Sequence, residues 1–101
     1  MSDFYSSHEL EQLSQRGVRI LLAEQTAIRR DVDLQQLESG VVLHPGTRLQ
    51  GQSTRIMAGA EIGPGGYVVL EDSVVGPGAI VGDQGPVFLR QSWVGPQAVL
   101  G

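Results

Sequence analysis

The sequence predicts a mainly β fold, a parallel β-helix of stacked triangular coils entered through one short α-helix. Three observations predict it: the chain matches itself at an offset of nineteen residues, branched aliphatics recur inside each period at spacings of six, six and seven, and glycine and proline cluster where a coil must bend. Repeats of this length make quasi-one-dimensional folds in which each unit packs only on its neighbours.

The repeat is strongest toward the C-terminus. Aligned at nineteen residues, positions 68–82 and 87–101 are identical at eight of fifteen sites. The same offset reaches one period earlier: Ile56, Val75 and Val94 align, as do Ala60, Ala79 and Ala98, Ile62, Val81 and Leu100, and Gly63, Gly82 and Gly101.

Taken in order along the chain, the first element is a helix over about Ser7–Arg16. Ser6 and Glu9 form a capping box, Tyr5 and Leu10 a hydrophobic staple, and Gly17 sits just past the end, with Leu10 and Leu13 on one face. Val18–Leu22 is strand-like, and Thr26–Leu37 is an irregular lead-in. The composition then changes, dividing the chain into a capped helix over 1–17, a lead-in coil over 18–40 and the repeat β-helix over 41–101.

Within 41–101 each hexad is one short strand and one turn, and three hexads close a coil. The aliphatics run Leu37, Leu43, Leu49; Ile56, Ile62, Val68; Val75, Val81, Val87; then Val94 and Leu100. Many are followed four residues later by a small residue, as at Thr47, Ala60, Gly66, Ala79, Gly85 and Ala98. Successive coils stack as parallel strands about 4.8 Å apart. Gly63-Pro64-Gly65, Gly76-Pro77-Gly78, Gly82-Asp83 and Gly95-Pro96 supply the bends, since glycine permits unusual dihedrals and proline pre-sets one. The same residues exclude an amphipathic helix here. An antiparallel sandwich with glycine-rich turns is the competing architecture.

Composition bounds the function. The chain has 101 residues, a net charge of −4, seven arginines and no lysine, and the arginines are scattered, so no basic footprint for nucleic acid exists. The acidic start and the short apolar stretch Ile20–Ala23 give no targeting or membrane-spanning signal, and a cytoplasmic location is expected. With no cysteine, disulfides and thiolate metal sites are excluded.

A family resemblance rests on Leu13–Ile20 (LSQRGVRI), Asp31–Leu34 (DVDL), Val42–Gly51 (VLHPGTRLQG), Ala60–Gly65 (AEIGPG) and Asp72–Gly76 (DSVVG). Over roughly residues 10–82 the chain resembles the linker and first β-helix coils of the bifunctional N-acetylglucosamine-1-phosphate uridyltransferase/glucosamine-1-phosphate acetyltransferase family. The resemblance implies a left-handed coil, a hand that periodicity does not fix, and a homotrimer formed through the β-helix. It also implies acetyl-coenzyme A and magnesium as cofactors of the parent enzymes. Uridylyl transfer in that family uses a glycine-rich phosphate loop on a Rossmann-like domain, and acetyl transfer uses a histidine in later coils. Neither segment has a counterpart here, so the expectation is a scaffold segment with no catalytic, cofactor-binding or metal site of its own, and the end at Leu100-Gly101 suggests a fragment. A stand-alone assembly module is the alternative, and an intact small acyltransferase ranks below it.

His44 invites a general-base reading, but its phase puts it at a corner beside Gly63, Gly82 and Gly101, where a solvated histidine is expected. His8 belongs on the helix surface, and two histidines are too few for a three-histidine metal centre. Asp31, Asp33, Glu71, Asp72 and Asp83 form no recognisable pair and are expected at solvated corners. Trp93 precedes the inward Val94 and should face outward, either at an interface or against a neighbouring segment.

Overall fold

The structure, a computed structural model, describes residues 3–101; Met1 and Ser2 of the acidic start lie outside them. Helix α1 covers Ser7–Glu11 and is capped as the sequence predicts: the Ser6 hydroxyl accepts from the Glu9 amide at 3.2 Å, and the Ser6 amide donates to the Glu9 carboxylate at 3.0 Å. The predicted helix then tightens into a 3₁₀ turn over Gln12–Arg16, where the Ser14 hydroxyl bonds back to the Glu11 carbonyl at 3.0 Å. Gly17 ends it at φ 82°, the left-handed conformation glycine adopts without cost.

Twelve short strands follow: β1 (Arg19–Ile20), β2 (Ala27–Ile28), β3 (Val42–Leu43), β4 (Thr47–Gln50), β5 (Arg55–Ile56), β6 (Glu61–Ile62), β7 (Val68–Glu71), β8 (Val74–Val75), β9 (Ile80–Val81), β10 (Val87–Arg90), β11 (Trp93–Val94) and β12 (Val99–Leu100). They form three parallel sheets, in the orders β1-β3-β6-β9-β12, β2-β4-β7-β10 and β5-β8-β11, and a parallel bridge from Leu37 to Ile56 extends the third. The fold is a parallel β-helix of about four coils, each coil contributing one strand to each sheet. Residues 18–40 are continuous with it, because β1 pairs with β3 and β2 with β4.

Side-chain alternation fills the interior with aliphatic columns. Leu37, Ile56, Val75 and Val94 stack on one face; Leu43, Ile62 and Val81 stack on another, continued by the half-buried Leu100. Both columns agree with the nineteen-residue alignment. Each fully buried aliphatic contributes roughly 1.5–3 kcal/mol relative to exposure.

The third face departs from it. Leu49 stacks on Leu70, with Leu89 beyond, and Thr47 stacks on Val68 and Val87. The alignment had set Leu49 on Val68, so the strand slips by two residues. A slip of two preserves which side chains face inward, whereas a slip of one would have turned the column out to solvent. The physical cause lies in the corners. His44-Pro45-Gly46 joins β3 to β4 in three residues, while Gly63–Tyr67 uses five between β6 and β7. The next corner compensates, with four residues between β4 and β5 and two between β7 and β8.

The short second corner requires left-handed backbone at Asp72 (φ 48°) and Gln91 (φ 50°). Its buried Ser73 hydroxyl is paired: it donates to the Glu71 carbonyl at 2.9 Å and accepts from the Ser92 amide at 3.2 Å. Among the described residues no buried side-chain nitrogen or oxygen lacks a partner.

The N-terminal segment covers the first coil. Leu10, Leu13 and Val18 join the same core as Ile28, Val32 and Leu37. The Arg16 guanidinium donates to the carbonyls of Leu34, Gln35 and Leu37 at 2.8–3.3 Å, and the Tyr5 hydroxyl donates to that of Val32 at 2.9 Å. Arg30 grips both oxygens of Glu9 at 2.8 and 3.0 Å. The Arg30 hydrogen bonds, helped by the Ser6 amide, hold the Glu9 carboxyl down at about 2.

Candidate functional site

The most elaborate surface feature is a groove at the corner after β3. Val42 and Glu61 are register partners on neighbouring coils, and both point outward. His44, two residues beyond Val42, has the same parity and reaches diagonally to the next coil, where its Nε2 lies 2.5 Å from Oε2 of Glu61. The pair is only partly open to solvent, with His44 21% and Glu61 36% exposed. Below it the Thr47 hydroxyl donates to the His44 carbonyl at 2.8 Å and fixes the corner.

The groove beside this pair encloses about 470 Å³ and is lined by Gln25, His44, Pro45, Pro64 and Tyr67 with intervening glycines. Tyr67 is 74% exposed, and its ring lies across Gly46. A Cβ on Gly46 would stand 2.5 Å from the ring, and its φ of +90° disfavours any side chain there. Glu61 on Nε2 orients the imidazole so that in its neutral form the Nε2 proton faces the carboxylate and Nδ1 carries the lone pair. Among the described residues nothing hydrogen-bonds Nδ1 or the second Glu61 oxygen, and Glu61 itself does not line the groove.

His44 therefore occupies the predicted corner but is partnered and mostly covered, unlike the solvated histidine expected there. Of the five acidic residues, Asp31, Glu71 and Asp72 gather around Gly51 and line shared surface hollows, while Asp33 and Asp83 lie elsewhere. Asp31 accepts from the Gly51 amide at 3.1 Å, Asp33 caps the turn at Gln35 at 2.9 Å, and Asp72 accepts from the Ser53 amide at 3.1 Å. Glu71 takes the Gln50 amide at 2.7 Å and Arg90 at 2.8 Å. Apart from the local Asp33 cap, these bonds tie coil to coil. Asp83 lies at the corner after β9, where its amide donates to the Leu100 carbonyl at 3.0 Å. His8 is exposed on α1. Among the described residues no cluster of three or more histidine, aspartate or glutamate side chains is placed to hold a metal ion.

Sequence reasoning missed Glu61, Tyr67 and Gln25. The signal for Glu61 was present in the nineteen-residue offset, which puts it beside Val42 and hence diagonal to His44. Tyr67 and Gln25 belong to corners whose lengths do not repeat, and nothing periodic pointed to them.

A second feature is spread over the outer surface. Ascending the coils, outward Arg48, Arg55 and Glu61 give way to Val69, Val74 and Ile80, and these to Phe88, Trp93 and Val99. The last three are 65%, 64% and 59% exposed. Trp93 faces outward, in register with Val74. No helix among the described residues is long and apolar enough to cross a membrane. Comparison with protein-family models, with curated proteins and with solved structures finds no match to the chain.

Proposed function

We propose that this chain is a β-helix scaffold segment of a sugar-nucleotide transferase of the UDP-N-acetylglucosamine pathway, cytoplasmic and assembled as a homotrimer. In this reading uridylyl and acetyl transfer, with their magnesium and acetyl-coenzyme A, belong to parts of the parent enzyme that this segment does not carry. The observation that supports an assembly role is the outward change from charged to large apolar side chains on all three sheets toward the C-terminal coils. Large exposed apolar groups on successive strands are what an interface between chains requires. The pathway assignment is supported by the resemblance over residues 10–82.

Sedimentation equilibrium tests the assembly. The chain should sediment as a trimer at micromolar concentration, and the double variant Phe88→Asp, Trp93→Asp should sediment as a monomer while keeping its β-type circular dichroism. A folded wild-type monomer at these concentrations contradicts the proposal. Assays with glucosamine 1-phosphate and acetyl-coenzyme A, and with N-acetylglucosamine 1-phosphate and UTP, should show no turnover above a His44→Ala control.

A further inference from the structure

We infer that the corner groove lined by Tyr67 and Gln25 binds a small uncharged aromatic ring bearing a donor–acceptor edge of the primary carboxamide kind, with the ring stacked on Tyr67. The inference goes beyond the scaffold reading and does not depend on it, because every residue it uses belongs to one corner of a single chain.

The groove arises where successive coils differ. The corner His44–Gly46 has three residues and the corresponding corner of the next coil, 63–67, has five, so the two do not superpose and leave a notch between them. The register that pairs Thr47, Val68 and Val87 sets Gly46, Tyr67 and Pro86 one residue ahead of them on successive coils. Of these three only Tyr67 carries an aromatic ring. It rests on Gly46, where a Cβ would stand 2.5 Å from it, and it is still 74% exposed. A ring held from below and open above is a platform, and a second aromatic ring packed on it in an offset stack gains more than the area buried.

The lining decides the charge of the ligand. Among the described residues no arginine, aspartate or glutamate lines the groove. A charged ligand would give up hydration there without meeting an opposite charge, whereas an uncharged ring gives up little. Pro45 and Pro64 supply apolar walls for the ring edge, and the volume of about 470 Å³ is in the range of small-molecule sites. The polar edge is set by Gln25, which is exposed and whose side chain has no hydrogen-bond partner among the described residues. Its amide offers an acceptor oxygen beside a donor nitrogen, the complement of another carboxamide.

The test uses the full chain, isotope-labelled, titrated with benzamide and followed by amide and aromatic NMR shifts. Cyclohexanecarboxamide, benzoate and benzamidine are the comparison ligands; the first removes the aromatic face and the other two add a charge. Benzamide should shift the amides of Gly46, Gly63 and Gly66 and the Tyr67 ring in a saturable way, and each comparison ligand should bind more weakly. Tyr67→Leu should weaken benzamide binding about tenfold, the scale of a ring stacked on a protein aromatic, while Tyr67→Phe should retain it. Gln25→Ala should weaken it about threefold, the loss of a neutral hydrogen bond. Non-saturable shifts, shifts centred elsewhere on the chain, unchanged affinity in Tyr67→Leu, cyclohexanecarboxamide binding as tightly as benzamide, or benzoate or benzamidine binding more tightly than benzamide would each overturn the inference.

Discussion

Leu70→Ala probes the packing of the third face. Leu70 is fully buried, in register with the fully buried Leu49 on one side and with Leu89 on the other, so its side chain is surrounded along the coil axis as well as across it. Truncation removes three carbons whose space the flanking coils cannot fill, because strand spacing is set by backbone hydrogen bonds and does not contract. A loss of about 3–4 kcal/mol is expected, within the range for buried leucines. That is a large share of the stability of a chain this size. Urea denaturation followed by circular dichroism measures it, with the exposed Gln84→Ala as control, expected within about 0.5 kcal/mol of wild type. A Leu70→Ala variant no less stable than the control would refute the claim that these leucines form a packed interior column.

Other predictions follow from particular corners and contacts. Gln97 occupies the left-handed position that Gly59 and Gly78 fill on earlier coils, at φ 58° against 74° and 71°, so Gln97→Gly should raise stability by roughly 0.5–1 kcal/mol in the same denaturation assay. Gly51→Ala should destabilise by about 1–3 kcal/mol, since its φ is +97° and the new Cβ would stand 2.2 Å from an Asp72 carboxylate oxygen. Glu9 has a folded pKa of about 2, depressed by the Arg30 hydrogen bonds from an ordinary 4.5. Its contribution is therefore present above pH 4.5 and is lost as pH falls through about 2. Acid unfolding of Glu9→Gln should lack that portion of the pH dependence, and a profile parallel to wild type would show that the Arg30 contact has no thermodynamic weight.

The coil architecture was legible because the physics that fixes it is local and repeated. A strand that buries one face must alternate, and a glycine or proline must stand at each bend, so Ile56, Val75 and Val94 declare one column and Ile62, Val81 and Leu100 another. The two-residue slip was illegible for an equally physical reason. A longer corner at 63–67 is offset by a shorter one at 72–73, the period stays nineteen, and inward parity survives, so the sequence pattern does not register the change. The strand at 19–20 was legible in Val18–Leu22, but its pairing and the strand at 27–28 were hidden because their partners lie 23 and 21 residues away, outside the common period. His44 was placed at its corner by phase alone. Its pairing with Glu61 depends on a diagonal reach between coils, which alignment by columns does not represent.

The most direct test of the stacked coils and their register is a pair of engineered disulfides, convenient in a chain without native cysteine. Arg48 and Val69 are outward partners on adjacent strands, at the roughly 4.8–5.5 Å separation that a disulfide spans. Arg48 and Tyr67, partners under a strict nineteen-residue register, are then about 8 Å apart, beyond its reach. Under mild oxidation the Arg48→Cys, Val69→Cys variant should form an intramolecular bond quantitatively, and the Arg48→Cys, Tyr67→Cys variant should stay reduced. The opposite result would restore the nineteen-residue pairing, and failure of both would contradict parallel coil stacking on this face.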